Sequence, residues 1–194
     1  MKLVILAGGR GTRLGLKNIP KPMVNFLGAP LLQHQILLAK KHGITEIYLL
    51  VGFLSEKIVE YFGNGSKFGV KIFYVKESKP LGTAGSTKQI EKNLLGERFM
   101  VFYGDTFINV NLKRMINFDK SKKNSIGTIF THPNDHPFDS DLVEVNEDGI
   151  IKNFFCTPRK KNHFFRNTVN AALYILSYKI FNEIEVNNYS DFGK

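Results

Sequence analysis

The chain predicts an α/β fold: a Rossmann-like, mostly parallel sheet with helices on both faces, continued by a strand-rich C-terminal extension. Three observations lead there. Short apolar runs alternate with helix-length amphipathic segments through roughly the first 124 residues, the pattern of strands joined by crossover helices. The first run, residues 2–7, is continuously apolar, as strands buried on both faces of a parallel sheet are. From residue 125 onward, apolar segments follow one another without long helices between them.

In chain order, 2–7 is the first strand and Gly8 to Pro22 a glycine- and proline-punctuated loop. Pro30 suits the first turn of a helix running to about His42, with Gly43 as its stop. Strands are expected at 46–51, 70–75 and 99–103, with a helix at 55–62 that Ser55 would cap and another at 83–93. Residues 112–122 are amphipathic and helical in pattern; 125–132, 142–146, 150–155 and 170–176 read as strands. The whole chain, 1–194, is read as a single domain. It is expected to divide into a strand–helix part, 1–124, and a strand-rich part, 125–194. In such sheets ligands sit at the carboxyl ends of the strands, where the first loop and Asp105 fall.

Composition narrows the class of function. Hydrophobic residues make up 43% of the chain, ordinary for a globular protein. No apolar run approaches the roughly 20 residues a bilayer requires, and the N-terminal run is too short for a signal peptide. A cytoplasmic location without a membrane partner is expected. The one cysteine, Cys156, excludes an internal disulfide and reads as a small strand residue. The net charge of +10 comes from scattered Lys and Arg, with no basic stripe interleaved with aromatics. That favours a phosphate-rich small substrate over nucleic acid.

The first loop reads Leu6-Ala7-Gly8-Gly9-Arg10-Gly11-Thr12-Arg13-Leu14. Its glycines let the backbone approach a phosphate and turn N–H groups toward it, and Arg13 adds a planar cationic fork. It is not a dinucleotide fingerprint, since leucine stands where the third glycine belongs, and it lacks the P-loop Gly-Lys-Ser/Thr. In Pro20-Lys21-Pro22-Met23 two prolines stiffen the backbone around a lysine, which presents it at a fixed point.

Together, these two segments resemble the signature of the sugar-1-phosphate nucleotidyltransferase family, and the resemblance extends to about Tyr174. It implies that Leu6, Ala7, Gly8, Gly9, Gly11 and Thr12 line the triphosphate, and that Arg13 and Lys21 are the catalytic cations. Glu77-Ser78-Lys79-Pro80-Leu81-Gly82-Thr83-Ala84-Gly85 resembles the family's base-recognition segment. This adds Glu77, Pro80, Gly82 and Thr83 to the nucleotide site, with Gly82 and Gly85 leaving room for a flat base. Guanine presents two adjacent donors, N1–H and N2–H, which suit the two acceptors of an ionised Glu77, so GTP is expected. Gly104-Asp105 resembles the family's metal-binding aspartate and implies Mg²⁺ as cofactor, with Gly104 beside the nucleotide.

Many relatives carry a Glu-Lys-Pro motif in the later strands; here the stretch is Cys156-Thr157-Pro158, and Arg159, Lys160 or Lys161 is expected to supply the missing charge. The segment 167–174 resembles the strand that contacts the sugar and places Asn170 there. The stretch 136–143, His-Pro-Phe-Asp-Ser-Asp-Leu-Val, resembles a subgroup acting on heptose phosphates. It favours D-glycero-D-manno-heptose 1-phosphate, with mannose 1-phosphate as the alternative. His132 and His136, each followed by proline, are read as parts of a structured loop rather than metal ligands. Asp191-Phe192-Gly193 superficially resembles the family's second metal-binding segment; Ser190 or Asp191 is read instead as the N-cap of a helix that the chain lacks.

The expected reaction uses no protein nucleophile, in keeping with the absence of a Gly-x-Ser-x-Gly elbow. The expected partners are a nucleoside triphosphate and a sugar 1-phosphate, and a homo-oligomer is left open. A non-catalytic nucleotide or sugar sensor on the same fold is the rival reading. It draws on the missing Glu-Lys pair and on the expected early end: the resemblance implies a nucleotide-binding part, 1–124, and a sugar-phosphate-binding part, 125–194, expected to be incomplete at the C-terminus.

Overall fold

The computed structural model describes residues 1–11, 15, 18–122, 124–159 and 165–193. Its centre is an eight-stranded sheet. Strands β1 (Lys2–Ala7), β4 (Glu46–Val51), β5 (Lys71–Lys76) and β6 (Arg98–Tyr103) run parallel, in the order β5-β4-β1-β6. A small hairpin, β2 (Asn25–Phe26) and β3 (Ala29–Pro30), precedes helix α1 (Leu31–Lys41). Helices α2 (Ser55–Phe62), α3 (Gly82–Lys88) and α4 (Leu112–Ser121) complete the crossovers. The late strands are β7 (Gly127–His132), β8 (Leu142–Val145), β9 (Ile151–Phe155) and β10 (Val169–Ser177). β10 joins antiparallel to β6, pairs with β7 and touches β8, which pairs with β9. The expected strand-rich extension is therefore a continuation of the same sheet.

Strand periodicity explains why the β1 run is apolar throughout. Leu3, Ile5 and Ala7 point to one face, where they pack with Leu32 and Ile36 of α1, Ile58 of α2 and Met115 of α4. Val4 points to the other face, toward Ala84 of α3, Leu94, Phe181 and Tyr174. Both sides of the strand are buried, so neither alternate position tolerates a polar residue. A buried ion pair ties the outer elements to β6. Arg98 donates to both oxygens of Asp119 at 2.6 and 2.5 Å, and Thr128 of β7 donates to the same carboxylate at 2.7 Å. A bidentate, hydrogen-bonded arrangement of this kind keeps a buried carboxylate satisfied.

Three local expectations are corrected. Ser55 is the first residue of α2 and buried; Leu54 holds the cap position at φ 51° without a side-chain bond. Pro30 precedes α1 rather than entering its first turn. The helix expected over 83–93 is broken: α3 ends at Lys88, and Glu91–Leu94 forms a separate 3-10 turn. Among the described residues no helix is long and apolar enough to cross a membrane.

Candidate active site

The carboxyl ends of β1, β4 and β6 open on one cavity of about 760 Å³. Leu6, Ala7, Gly8, Gly9, Gly11, Lys21, Glu77, Pro80, Gly82, Thr83 and Asp105, separated by up to a hundred positions in the chain, all line it. Thr12 and Arg13 lie outside the described residues, as does Lys160.

Glycines at the walls make close approaches. A Cβ on Gly8 would sit 2.9 Å from Oε2 of Glu77, and one on Gly52 only 2.8 Å from the carbonyl of Gly8. The first loop is thus pressed against the loop after β4, and Phe53 N donates to Gly8 O at 3.3 Å. Gly104 does not line the cavity. Its role is close packing, for its N–H donates to Leu6 O at 2.9 Å and a Cβ would meet that same oxygen at 2.9 Å.

Lys21 sits in a short 3-10 turn between Pro20 and Pro22, and its Nζ reaches Asp105 Oδ2 at 2.6 Å. Asp105 follows directly from β6. Its loop is held from beneath by Gln35 of α1, a fully buried side chain whose Nε2 donates to Tyr103 O at 2.8 Å and Thr106 O at 2.6 Å. Glu77 closes the cavity beside Gly8. Burial pushes its carboxyl pKa above the ordinary value, and a bond from Ser86 opposes the shift. Cationic Arg10 and Lys79 line the same space.

The C-terminal segment enters the site, which the sequence reading missed for Asp191. Ser190 O accepts from Ala84 N at 2.9 Å and Gly85 N at 3.1 Å; Asp191 Oδ1 accepts from Thr83 N at 2.9 Å. Asp191 therefore caps α3, a helix the chain possesses, across 108 positions. Gly82 and Gly85 are small for this reason. A Cβ on Gly82, at φ 74°, would lie 2.4 Å from Ser190 O, and one on Gly85 2.6 Å from Asn188 O. The room they provide is taken by chain, not reserved for a base. The partner of Asp191 lies too far away in sequence for a local pattern to show it.

A second cavity, about 460 Å³, shares Thr83, Tyr103 and Asp191 with the first. Asn170 lines it, placed by an irregularity in β10: the register against β7 shifts between Asn170 and Tyr174, and Ala172 adopts φ 55°. Asn170 Nδ2 donates to Tyr174 OH at 2.6 Å. Cys156 lines this cavity just past the end of β9, rather than sitting in a strand, and its thiol donates to Gly193 O. Arg159 does not line it. Its guanidinium donates to the carbonyls of Ser140 and Pro137 and lies over the Phe165 ring. It clamps the 137–140 loop, so the expectation that it meets the sugar phosphate is corrected. That loop is structured, with His136 Nδ1 3.1 Å from Asp139 Oδ1.

The nucleotidyl transferase family matches residues 2–194, and the chain belongs to it. It is 34% identical to mannose-1-phosphate guanyltransferase 2 of Candida glabrata over 96% of the chain and 52% of that protein. It is 36% identical to D-glycero-alpha-D-manno-heptose 1-phosphate guanylyltransferase of Campylobacter jejuni, over 94% of the chain and 79% of that protein. The crystal structure of HddC from Yersinia pseudotuberculosis complexed with GMP-PN superposes with a TM-score of 0.80 at 28% identity, covering 99% of this chain and 83% of that one. The chain spans about half the length of several curated relatives it matches.

Proposed function

We propose that the chain transfers a nucleotidyl group, from GTP by preference, to a sugar 1-phosphate and releases pyrophosphate. D-glycero-D-manno-heptose 1-phosphate is the favoured acceptor. The observation that carries the reading is the junction of the two cavities: Lys21 and Asp105 stand in the first, and Thr83, Tyr103 and Asp191 open it onto the second. Such an arrangement suits a reaction between two bound substrates, whose acceleration comes from positioning and charge neutralisation.

In the proposed step a phosphate oxygen of the sugar 1-phosphate attacks the α-phosphorus of the triphosphate in line. The bond to the β-phosphate bridging oxygen breaks, and pyrophosphate departs with the electron pair. The glycine loop approaches the triphosphate with its backbone. Lys21 offsets charge at the reacting phosphates, and the ionised Glu77 accepts from the guanine edge. The donor set at the cavity fits Mg²⁺. Asp105 and Asp191 both line it, and no group of three or more His, Cys, Asp or Glu that could cage a metal occurs among the described residues. Magnesium is commonly held by one or two carboxylates together with substrate phosphates. Bound there, it would offset charge on the leaving pyrophosphate.

Mannose 1-phosphate is the second reading of the acceptor, favoured by the likeness to the Candida glabrata protein over nearly the whole chain. The test is pyrophosphate release with Mg²⁺, each of the four ribonucleoside triphosphates and dTTP being paired with heptose and mannose 1-phosphates. Release with one pair names base and sugar together. Nucleotide binding without release in any pair would instead support a sensor.

A further inference from the structure

The second cavity carries a recognition group that the proposed chemistry does not use. It has room for one hexose or heptose, and Ser140, Asp141, Thr157 and Asn170 supply polar atoms to its wall. Among its described lining residues there is no Lys or Arg. A neutral polyol finds both acceptors and donors in these groups.

We propose that Asp141 selects the sugar, its carboxylate accepting hydrogen bonds from adjacent ring hydroxyl groups of the sugar 1-phosphate. The inference rests on the nucleotidyl-transfer reading and names the group that reads the acceptor. Asp141 is fixed at both ends. Its backbone carbonyl accepts from Asn170 N at 2.9 Å, and its Oδ1 accepts from Thr157 N at 3.0 Å. Its Oδ2 has no hydrogen-bond partner among the described residues, and it lies close to Gly193, where a Cβ would stand only 3.2 Å from it. A carboxylate offers about four lone-pair sites, so one backbone bond leaves it able to take two hydroxyls. Asp191, the other carboxylate of this cavity, accepts from Thr83 N and Tyr189 OH and also lines the first cavity, on the side of the proposed Mg²⁺. The charge of Asp141 also reaches the hydroxyls of Tyr103 and Tyr174, whose pKa values are raised mainly by burial. Both stay protonated, and Tyr103 lines the cavity beside it.

The variant Asp141→Asn separates recognition from structure, because the amide keeps one oxygen for Thr157 N while replacing the other by a donor. Titration calorimetry would compare GDP-mannose with GDP, UDP-N-acetylglucosamine with UDP and dTDP-glucose with dTDP on the parent and the variant. For the base that the parent binds, the variant is expected to weaken the nucleotide sugar by roughly 10- to 100-fold while the bare diphosphate binds as before. Equal affinity of parent and variant for the nucleotide sugar would overturn the proposal while leaving nucleotidyl transfer standing. No binding of any nucleotide by the parent would remove both. Asp141→Ser, which also retains an acceptor, is the second variant should the first fail to fold. A parent that prefers glucosamine 1-phosphate to glucose 1-phosphate would also overturn it, since the carboxylate would then be pairing with an ammonium group.

Discussion

Lys21 Nζ lies 2.6 Å from Asp105 Oδ2, although the two residues are 84 positions apart. Their side chains are 33% and 39% exposed, so the pair contributes at most about 1 kcal/mol to stability. Its consequence is positional: the cation proposed to meet phosphate and the carboxylate proposed to hold the metal are kept at one point of the cavity. Lys21→Ala should therefore melt within a few degrees of the parent and lose turnover by roughly 10²- to 10³-fold. Thermal melting and pyrophosphate release measure the two halves. A fully active variant would remove lysine from the mechanism.

Asp105→Asn preserves shape and abolishes the charge. The Mg²⁺ concentration for half-maximal rate should rise by roughly tenfold or more. An unchanged Mg²⁺ titration would move the metal away from this carboxylate.

Glu77 couples base recognition to pH. Burial raises its folded pKa, so the charged form costs stability above that pKa, and the cost is relieved as pH falls through it. Guanine recognition needs the charged form. GTP affinity should thus weaken on acidification at a pH above the ordinary carboxylate value, while Glu77→Gln should be no less stable at pH 7 and bind GTP poorly. Melting curves and equilibrium titration between pH 5 and 8 report both signs; a variant that binds GTP like the parent would exclude Glu77 from the base site.

Gln35 is a buried amide beneath the Asp105 loop. Gln35→Leu leaves Thr106 O without this donor, at about 1–3 kcal/mol for a carbonyl stranded from water, and leaves Tyr103 O with the 3.2 Å bond from Thr106 N. Because those carbonyls flank Asp105, kcat and the Mg²⁺ requirement should suffer more than the KM for GTP. A lower melting temperature with an intact kcat would reduce Gln35 to a purely structural residue.

Gly82→Ala must place a Cβ 2.4 Å from Ser190 O at φ 74°. Strain of roughly 1–3 kcal/mol is expected, released by displacing the 188–191 segment and with it Asp191. Limited proteolysis near the C-terminus should accelerate in this variant; unchanged proteolysis and melting would argue against the docked segment.

Much of the fold was legible because it follows from local repetition. The continuous apolar run of β1 and the alternation of strand and helix are properties of neighbouring residues, and the observed β5-β4-β1-β6 order is a parallel arrangement of that kind. Boundaries were less legible. Ser55 carries the side chain of a cap but lies one position inside its helix, because Leu54 takes the left-handed turn there.

Residues 6–11, Lys21, Glu77 and Asp105 declare their place in the sequence because each sits in a stiff or glycine-rich segment at a strand end, where backbone constraints and chemistry coincide. What only the tertiary structure decided involves partners distant in the chain: Asp191 capping Thr83, Gly82 and Gly85 making room for Ser190 and Asn188, Gln35 holding the Asp105 loop, and Arg159 turned onto carbonyls instead of the second cavity. A single residue's type states what bonds it can form, but a buried donor takes whichever acceptor the packed fold brings within about 3 Å, and that choice is made by the whole chain.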